Sequence, residues 1–274
     1  MVWSNKMTFL YIGLVIALIV LAYMRFEATT FKVKKVFFTE SINSLKVIQL
    51  SDIHISLLRV DVKKIYRVLK KEKPDLIILT GDYIDSTRQI PAFFKFLDNI
   101  RGNYDIFLCF GNHDYRVFHK NEAGLEKFTA DLERKGIKVL LNDSVLYSKG
   151  AQNYNIIGIE DFRSDRYNIK KALSNCKINV TANIAFSHNP DIALELPEDA
   201  VDFLLCGHFH GGQIWMPFDL EFKFLRHERV CKLGIKKELN KLNNMIIYIN
   251  SGIGNVLFPL RFLSPPEITV LYFP

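Results

Sequence analysis

Residues 47–54 read Val47-Ile48-Gln49-Leu50-Ser51-Asp52-Ile53-His54, a short apolar run that ends in a carboxylate and an imidazole. Short β-rich runs bounded by polar residues fit strands buried on both faces, as in a sheet covered by helices. The pattern recurs. Leu76–Leu79 precede Thr80-Gly81-Asp82, and Ile106–Phe110 precede Gly111-Asn112-His113-Asp114. Ile184–Phe186 precede Ser187-His188-Asn189, and Phe203–Cys206 precede Gly207-His208-Phe209-His210. Asp52, Asp82 and Asn112 stand 30 residues apart, about one strand–helix–strand step. Helical stripes fill the intervals: Val62, Ile65, Tyr66 and Leu69, then Phe93, Phe94 and Leu97, then Leu125, Phe128 and Leu132. Shorter strands with turns at Lys149-Gly150 and Gln152-Asn153 are expected over 138–160, and further strands at 246–250 and 267–273. The fold class is α/β, with one domain over 31–274.

In such sheets sites form beyond the carboxyl ends of the strands. Five segments would therefore bring Asp52, His54, Asp82, Asn112, His188, His208 and His210 to one rim. Taken singly, an Asp in a Gly-Asp turn is a turn residue and a His after a strand is an ordinary polar group. Five of the seven His, however, fall in four strand-end motifs. Seven oxygen and nitrogen donors without a Cys suit Mn²⁺, Fe²⁺/Fe³⁺, Co²⁺ or Zn²⁺ rather than a thiolate zinc site. They exceed what one catalytic ion takes, so two divalent ions sharing a carboxylate are expected, an arrangement that serves in-line phosphoryl displacement.

The blocks Asp52-Ile53-His54, Gly81-Asp82-Tyr83-Ile84-Asp85, Gly111-Asn112-His113-Asp114, His188 and Gly207-His208-Phe209-His210 resemble the calcineurin-like metallophosphoesterases, in order. Gly211-Gly212-Gln213, Asn250–Gly254 and Pro265-Pro266-Glu267-Ile268 resemble the membrane-anchored or secreted bacterial subgroup. The resemblance implies a four-layer α-β-β-α sandwich and a metal-dependent phosphoric ester or anhydride hydrolase. It implies that Asp52, His54 and His210 hold one metal, that Asn112, His188 and His208 hold the other, and that Asp82 bridges. His113 would stand beside the phosphoryl group as acid or transition-state stabiliser, with Asp85 or Asp114 orienting it. Asn112 and Arg261 are candidate substrate contacts, Arg261 with a structural salt bridge as its competing role. Phe209 stands where the subgroup usually has Thr; lying between two ligands it should point away from the metals, with a local effect on the pocket wall.

Met7–Met24 is an 18-residue run without a charge, bracketed by Lys6 and Arg25. About 27 Å of helix is close to a bilayer core. A cleaved signal peptide has a shorter apolar region and a small-residue cleavage site, and Leu21-Ala22-Tyr23-Met24-Arg25-Phe26-Glu27-Ala28 matches that poorly. The expected organisation is an N-terminal single-pass anchor over 1–30, then the catalytic domain. The terminal amine and Lys6 flank one side, and Arg25, Lys32, Lys34 and Lys35 the other. The more basic flank stays cytoplasmic, placing the domain on the inner face of the plasma or inner membrane. Lys32–Lys35 also reads as a solvated edge strand.

The chain has 274 residues, 49% of them hydrophobic, and a net charge of +7. This excludes a disordered, collagen-like or disulfide-stapled chain. Cys109, Cys176, Cys206 and Cys231 are scattered and read as free thiols. The charge fits an anionic partner. Residues 214–245 mix Trp215, Phe218, Phe222 and Phe224 with Lys and Arg, a candidate lip against anionic lipid or a surface hairpin with core aromatics. The expected substrate is a phosphorylated small molecule or lipid. Some relatives in the subgroup are UDP-2,3-diacylglucosamine pyrophosphatases of lipid A biosynthesis. The alternative is a broad phosphodiesterase of nucleotides or nucleic acid. No dedicated nucleic-acid module is recognisable, and no feature specifies an oligomer.

Overall fold

The computed structural model describes residues 2–41 and 43–274. Met1, whose amine counts in the flanking charge above, lies outside them. The strands in chain order are β1 (Lys32–Phe37), β2 (Leu45–Leu50), β3 (Leu76–Thr80), β4 (Asp105–Cys109), β5 (Ile137–Val139), β6 (Asp143–Lys149), β7 (Gln152–Gly158), β8 (Ala182–Phe186), β9 (Phe203–Cys206), β10 (Glu238–Leu242), β11 (Met245–Ile249) and β12 (Glu267–Phe273). The helices are α1 (Val2–Glu27), α2 (Val62–Glu72), α3 (Ile90–Ile100), α4 (Asn112–Val117), α5 (Glu122–Arg134), α6 (Ile169–Leu173), α7 (Leu220–Leu225) and α8 (Arg229–Lys232).

Among the described residues the strands form two six-stranded mixed sheets, ordered β1-β12-β2-β3-β4-β5 and β10-β11-β9-β8-β7-β6. β2 to β5 run parallel in the first, and β7, β8, β9 and β11 in the second. Strand alternation sorts the side chains. Leu76 and Ile78 of β3 face the second sheet, in a core with Ile156, Ile184, Leu205 and Tyr248. Ile77 and Leu79 face outward and pack with Ile65 and Leu69 of α2, Phe93 and Leu97 of α3, and Phe128 and Leu132 of α5. The outer face of the second sheet, through Ile157, Ala185 and Leu204, is covered by Ala172 of α6, Phe222 of α7 and Val230 of α8. This is the four-layer α-β-β-α sandwich. Burial on both faces explains why the central strands read as continuous apolar runs rather than alternating ones.

Turn placement differs slightly from the sequence reading. The β6–β7 hairpin turns at Gly150-Ala151, and Gln152 and Asn153 already belong to β7, paired with Lys149 and Ser148. Lys32–Lys35 lies on β1, an edge strand, where Lys34 pairs with Glu238 and Lys35 with Glu72. Residues 214–245 form α7, α8 and β10 rather than one hairpin; Phe222 and Val230 point inward while Phe218, Phe224 and Leu225 stand exposed.

Within α1, Lys6–Glu27 is long and apolar enough to cross a membrane, and none of its most apolar part is buried against the domain. Its last turn nevertheless docks. Arg261 N donates to Met24 O at 3.1 Å, and the Tyr23 ring meets Phe262 edge-on at 5.9 Å.

Candidate metal centre

The five polar blocks leave the carboxyl ends of β2, β3, β4, β8 and β9, so the first sheet supplies three and the second two. Cross-sheet bonds fix their spacing. Gln49 Nε2 donates to Cys206 O at 2.9 Å, and His208 N donates to both carboxylate oxygens of Asp52 at 3.1 Å. Asp52, His54, Asp82, His208 and His210 all have positive φ, between 37° and 75°. Each such residue costs about 1 kcal/mol or more. Five together rival the net stability of a domain, so the surrounding contacts must over-determine them. Such clustering marks functional sites. Gly81, at φ 91°, leaves no room for a Cβ, which would lie 2.7 Å from both Gly111 N and His188 Nδ1.

Two clusters result. Asp52, His54 and His210 offer ligand atoms within 4.8 Å of one another, and so do Asp82, His188 and His208. Asp82 Oδ2 stands between them, 3.1 Å from His188 Nε2 and 3.6 Å from His54 Nε2. His210 Nε2 lies 3.2 Å from Asp52 Oδ1. Outer partners set the imidazole tautomers. His188 Nδ1 faces Thr80 O at 2.8 Å, and because a carbonyl only accepts, that nitrogen carries the proton. His208 Nε2 donates to Glu228 Oε1 at 2.7 Å, and His54 Nδ1 to Asp85 Oδ2 at 3.3 Å. The opposite nitrogens face inward, the arrangement by which metal-ligating histidines are held.

Two observations test the fit to cations. His54 Nε2, Asn112 Oδ1 and His210 Nδ1 are buried without a hydrogen-bond partner among the described residues, at a cost of about 1–3 kcal/mol each. The buried carboxylates also demand positive charge. Burial alone would depress His188, but Asp82 and Asp52 lift it to about 10. Asp82 is held well below the carboxylate range: burial opposes this, and His188, His113 and His54 outweigh it. His208 is pushed down to about 3 by burial, against Glu228, and so is neutral. Oxygen and nitrogen donors in this number fit divalent ions of the first transition row.

His113 lies at the rim, its Nε2 4.0 Å from Asp82 Oδ2 and its Nδ1 2.6 Å from Asp85 Oδ1. Of the two candidates to orient it, Asp85 is therefore the one in contact. Asp114 does not reach it: its carboxylate accepts backbone N–H from Gly111, Asp82, Tyr83 and Ile84 and pins the turns after β3 and β4 together. Arg261 also departs from expectation. It is fully buried and presents nothing to a substrate. It forms no salt bridge among the described residues either; its guanidinium donates to the carbonyls of His210, Ser251, Gly252, Gly254 and Ser264. Phe209 turns from the centre into the core beside Phe222, with the Arg226 guanidinium over its ring, and shapes no pocket wall.

Sequence reasoning missed Glu228. Its side chain is buried, joins His208 to Arg163 (2.6 Å), and is held down at about 2, burial opposing and His208 prevailing. It sits in the irregular 226–228 segment between α7 and α8, where no motif marks it. Gln213, adjacent to the last histidine block, shapes the loop that receives α1 through Val256 and Phe258.

A family model for calcineurin-like phosphoesterases matches residues 45–212. The chain is 31% identical over 228 residues to the uncharacterized metallophosphoesterase YkoQ of Bacillus subtilis, covering 82% of each chain. It is 26% identical over 293 residues to the UDP-2,3-diacylglucosamine pyrophosphatase LpxG of Chlamydia muridarum, covering 84% of each. Among solved structures, the sulfate thiohydrolase SoxB of Thermus thermophilus superposes with a TM-score of 0.53 at 10% identity, covering 86% of this chain and 57% of that one, a likeness of fold alone. With the family model spanning every polar block and a relative above 30% identity, the chain belongs to the calcineurin-like phosphoesterases and is a hydrolase.

Proposed function

We propose that this protein is a membrane-anchored, two-metal phosphohydrolase that cleaves a pyrophosphate or phosphate ester bond in a lipid-linked substrate. The carrying observation is the pair of ligand clusters meeting at Asp82 Oδ2. Asp52, His54 and His210 would hold one divalent ion, Asn112, His188 and His208 the other, and Asp82 both. The ions would supply positive charge to the phosphoryl oxygens and lower the pKa of water. The chain's own residues do the rest. Asp85 orients His113 through Nδ1, leaving Nε2 aimed toward the centre to hand a proton to the leaving oxygen. Asn112 offers its amide at the same rim.

The membrane reading rests on α1 and its docking. Arg261 bonds to Met24 O with its backbone and to His210 O with its side chain, so one residue separates the helix end from a proposed ligand. Leu257, Phe258 and Leu263 on the same loop are exposed. An apolar loop continuous with an apolar helix suits entry of a lipid-linked substrate from the bilayer. The basic flank of α1 supports a cytoplasmic catalytic domain. Similarity to LpxG supports a nucleotide-linked lipid pyrophosphate such as UDP-2,3-diacylglucosamine. The test is release of UMP from that lipid by Mn²⁺-loaded protein in mixed micelles. Hydrolysis of bis(p-nitrophenyl) phosphate without UMP release would leave a broader phosphodiesterase.

A further inference from the structure

A cavity of about 310 Å³ opens beside the centre and shares Asn112 with it. Arg116, Lys120, Arg163 and Arg166 line it, together with His119, and no lining residue is acidic. The arginines are steadied by carboxylates that stand outside the wall. Arg166 makes a two-pronged bond to Glu122 at 2.6 and 2.7 Å, Arg163 bonds to Glu228 at 2.6 Å, and Arg116 lies 3.8 Å from Asp85. No carboxylate pairs with Lys120 among the described residues. Planar guanidinium groups held from behind, with donors left over, are suited to phosphate oxygens.

The remaining lining is Ser164 and three apolar or aromatic side chains, Phe118, Leu125 and Tyr115. The Arg166 guanidinium already lies over the Tyr115 ring at 5.5 Å. The volume is at the small end of ligand pockets, roughly 300–1,000 Å³, which suits a polar head with a planar group rather than acyl chains. Arg116 Nη2 lies against His113 Nδ1, so the cavity begins where a leaving group would depart.

We propose that this cavity binds the second phosphoryl group and attached nucleoside of a diphosphate-bridged substrate, which makes a nucleoside monophosphate the leaving half. This rests on reading the adjoining centre as a phosphohydrolase. The test is calorimetric titration of UMP, AMP and inorganic phosphate into the full-length protein in detergent micelles, chelator-treated and Mn²⁺-loaded. The chelator-treated protein binds the nucleotides more tightly than phosphate. Arg166→Ala and, separately, the charge reversal Lys120→Glu at an exposed position each weaken nucleotide binding about tenfold. Nucleotide affinity unchanged in both variants overturns the proposal. Variant-sensitive nucleotide binding in a protein that hydrolyses no ester leaves the pocket standing and removes the phosphohydrolase reading.

Discussion

Asp85 holds His113 with one carboxylate oxygen, Oδ1 to Nδ1 at 2.6 Å, and reaches His54 Nδ1 with the other at 3.3 Å. One side chain thus orients both the proposed acid and a proposed ligand. The two histidines hold its carboxyl far below the usual range, although burial works against them. His113→Ala should lower kcat by about 10²–10⁴-fold and leave metal content unchanged. Asp85→Asn should lower kcat and also weaken metal binding by about 10–100-fold. Steady-state rates beside metal analysis of the purified variants separate the two; equal metal loss in both would contradict the division of labour.

Glu228 fixes the tautomer of His208 from outside the centre. Glu228→Gln keeps the shape but removes the charge. Mn²⁺ affinity should fall about 10–100-fold, with activity restored at saturating Mn²⁺. A rate defect that saturating metal does not relieve would place Glu228 in the chemical step instead.

Five residues of the centre sit at positive φ, and three buried polar atoms on its side chains have no hydrogen-bond partner among the described residues. An ion that satisfies them stabilises the folded state. At 100 times Kd this amounts to about 2.7 kcal/mol, or roughly 5–10 °C in Tm for a domain of this size. Calorimetry with and without chelator reads it directly; an unchanged Tm would count against metal occupancy of these atoms.

Arg261→Met removes the donors to five carbonyls, including His210 O. A buried acceptor left unpaired costs about 1–3 kcal/mol, so a loss of at least about 3 kcal/mol in urea unfolding is expected. Because Arg261 carries no substrate contact, the folded fraction of the variant should keep the wild-type KM.

The chain has two tryptophans. With Trp3→Phe, emission comes from Trp215, whose backbone N–H donates to Phe262 O beside the docked end of α1. In vesicles of brominated phosphatidylcholine that emission should be quenched relative to the unbrominated lipid. Equal emission in both would place the 256–263 loop away from the bilayer.

The layers and the rim were readable because each rests on local pattern. A strand buried on both faces must be apolar throughout, and a turn carrying a ligand must follow it. Asp52, Asp82 and His188 therefore announce themselves by position. The roles of Asp114, Arg261 and Glu228 depend on which backbone groups arrive from other parts of the chain. Asp114 collects amides from both the β3 and β4 turns, and Arg261 collects carbonyls from the 210, 251–254 and 264 turns. Adjacency to a conspicuous histidine suggested chemistry for Asp114, and a charge opposite to phosphate suggested it for Arg261; burial assigned both to scaffolding. The turn of Phe209 away from the centre follows from its place between His208 and His210, but its partner Phe222 lies at a distance no periodicity encodes.

The edge of the first sheet has a consequence for how copies of this chain meet. β1 leaves one side of its backbone without a neighbouring strand, and such an edge is a template for self-association. Lys32, Lys34 and Lys35 occupy it, and Lys34 reaches Glu238 on β10, the edge of the other sheet. Two such edges approaching each other would bring like charges together over several residues and break that ion pair. The lysines beside the helix thus guard against sheet-to-sheet aggregation wherever the protein is concentrated.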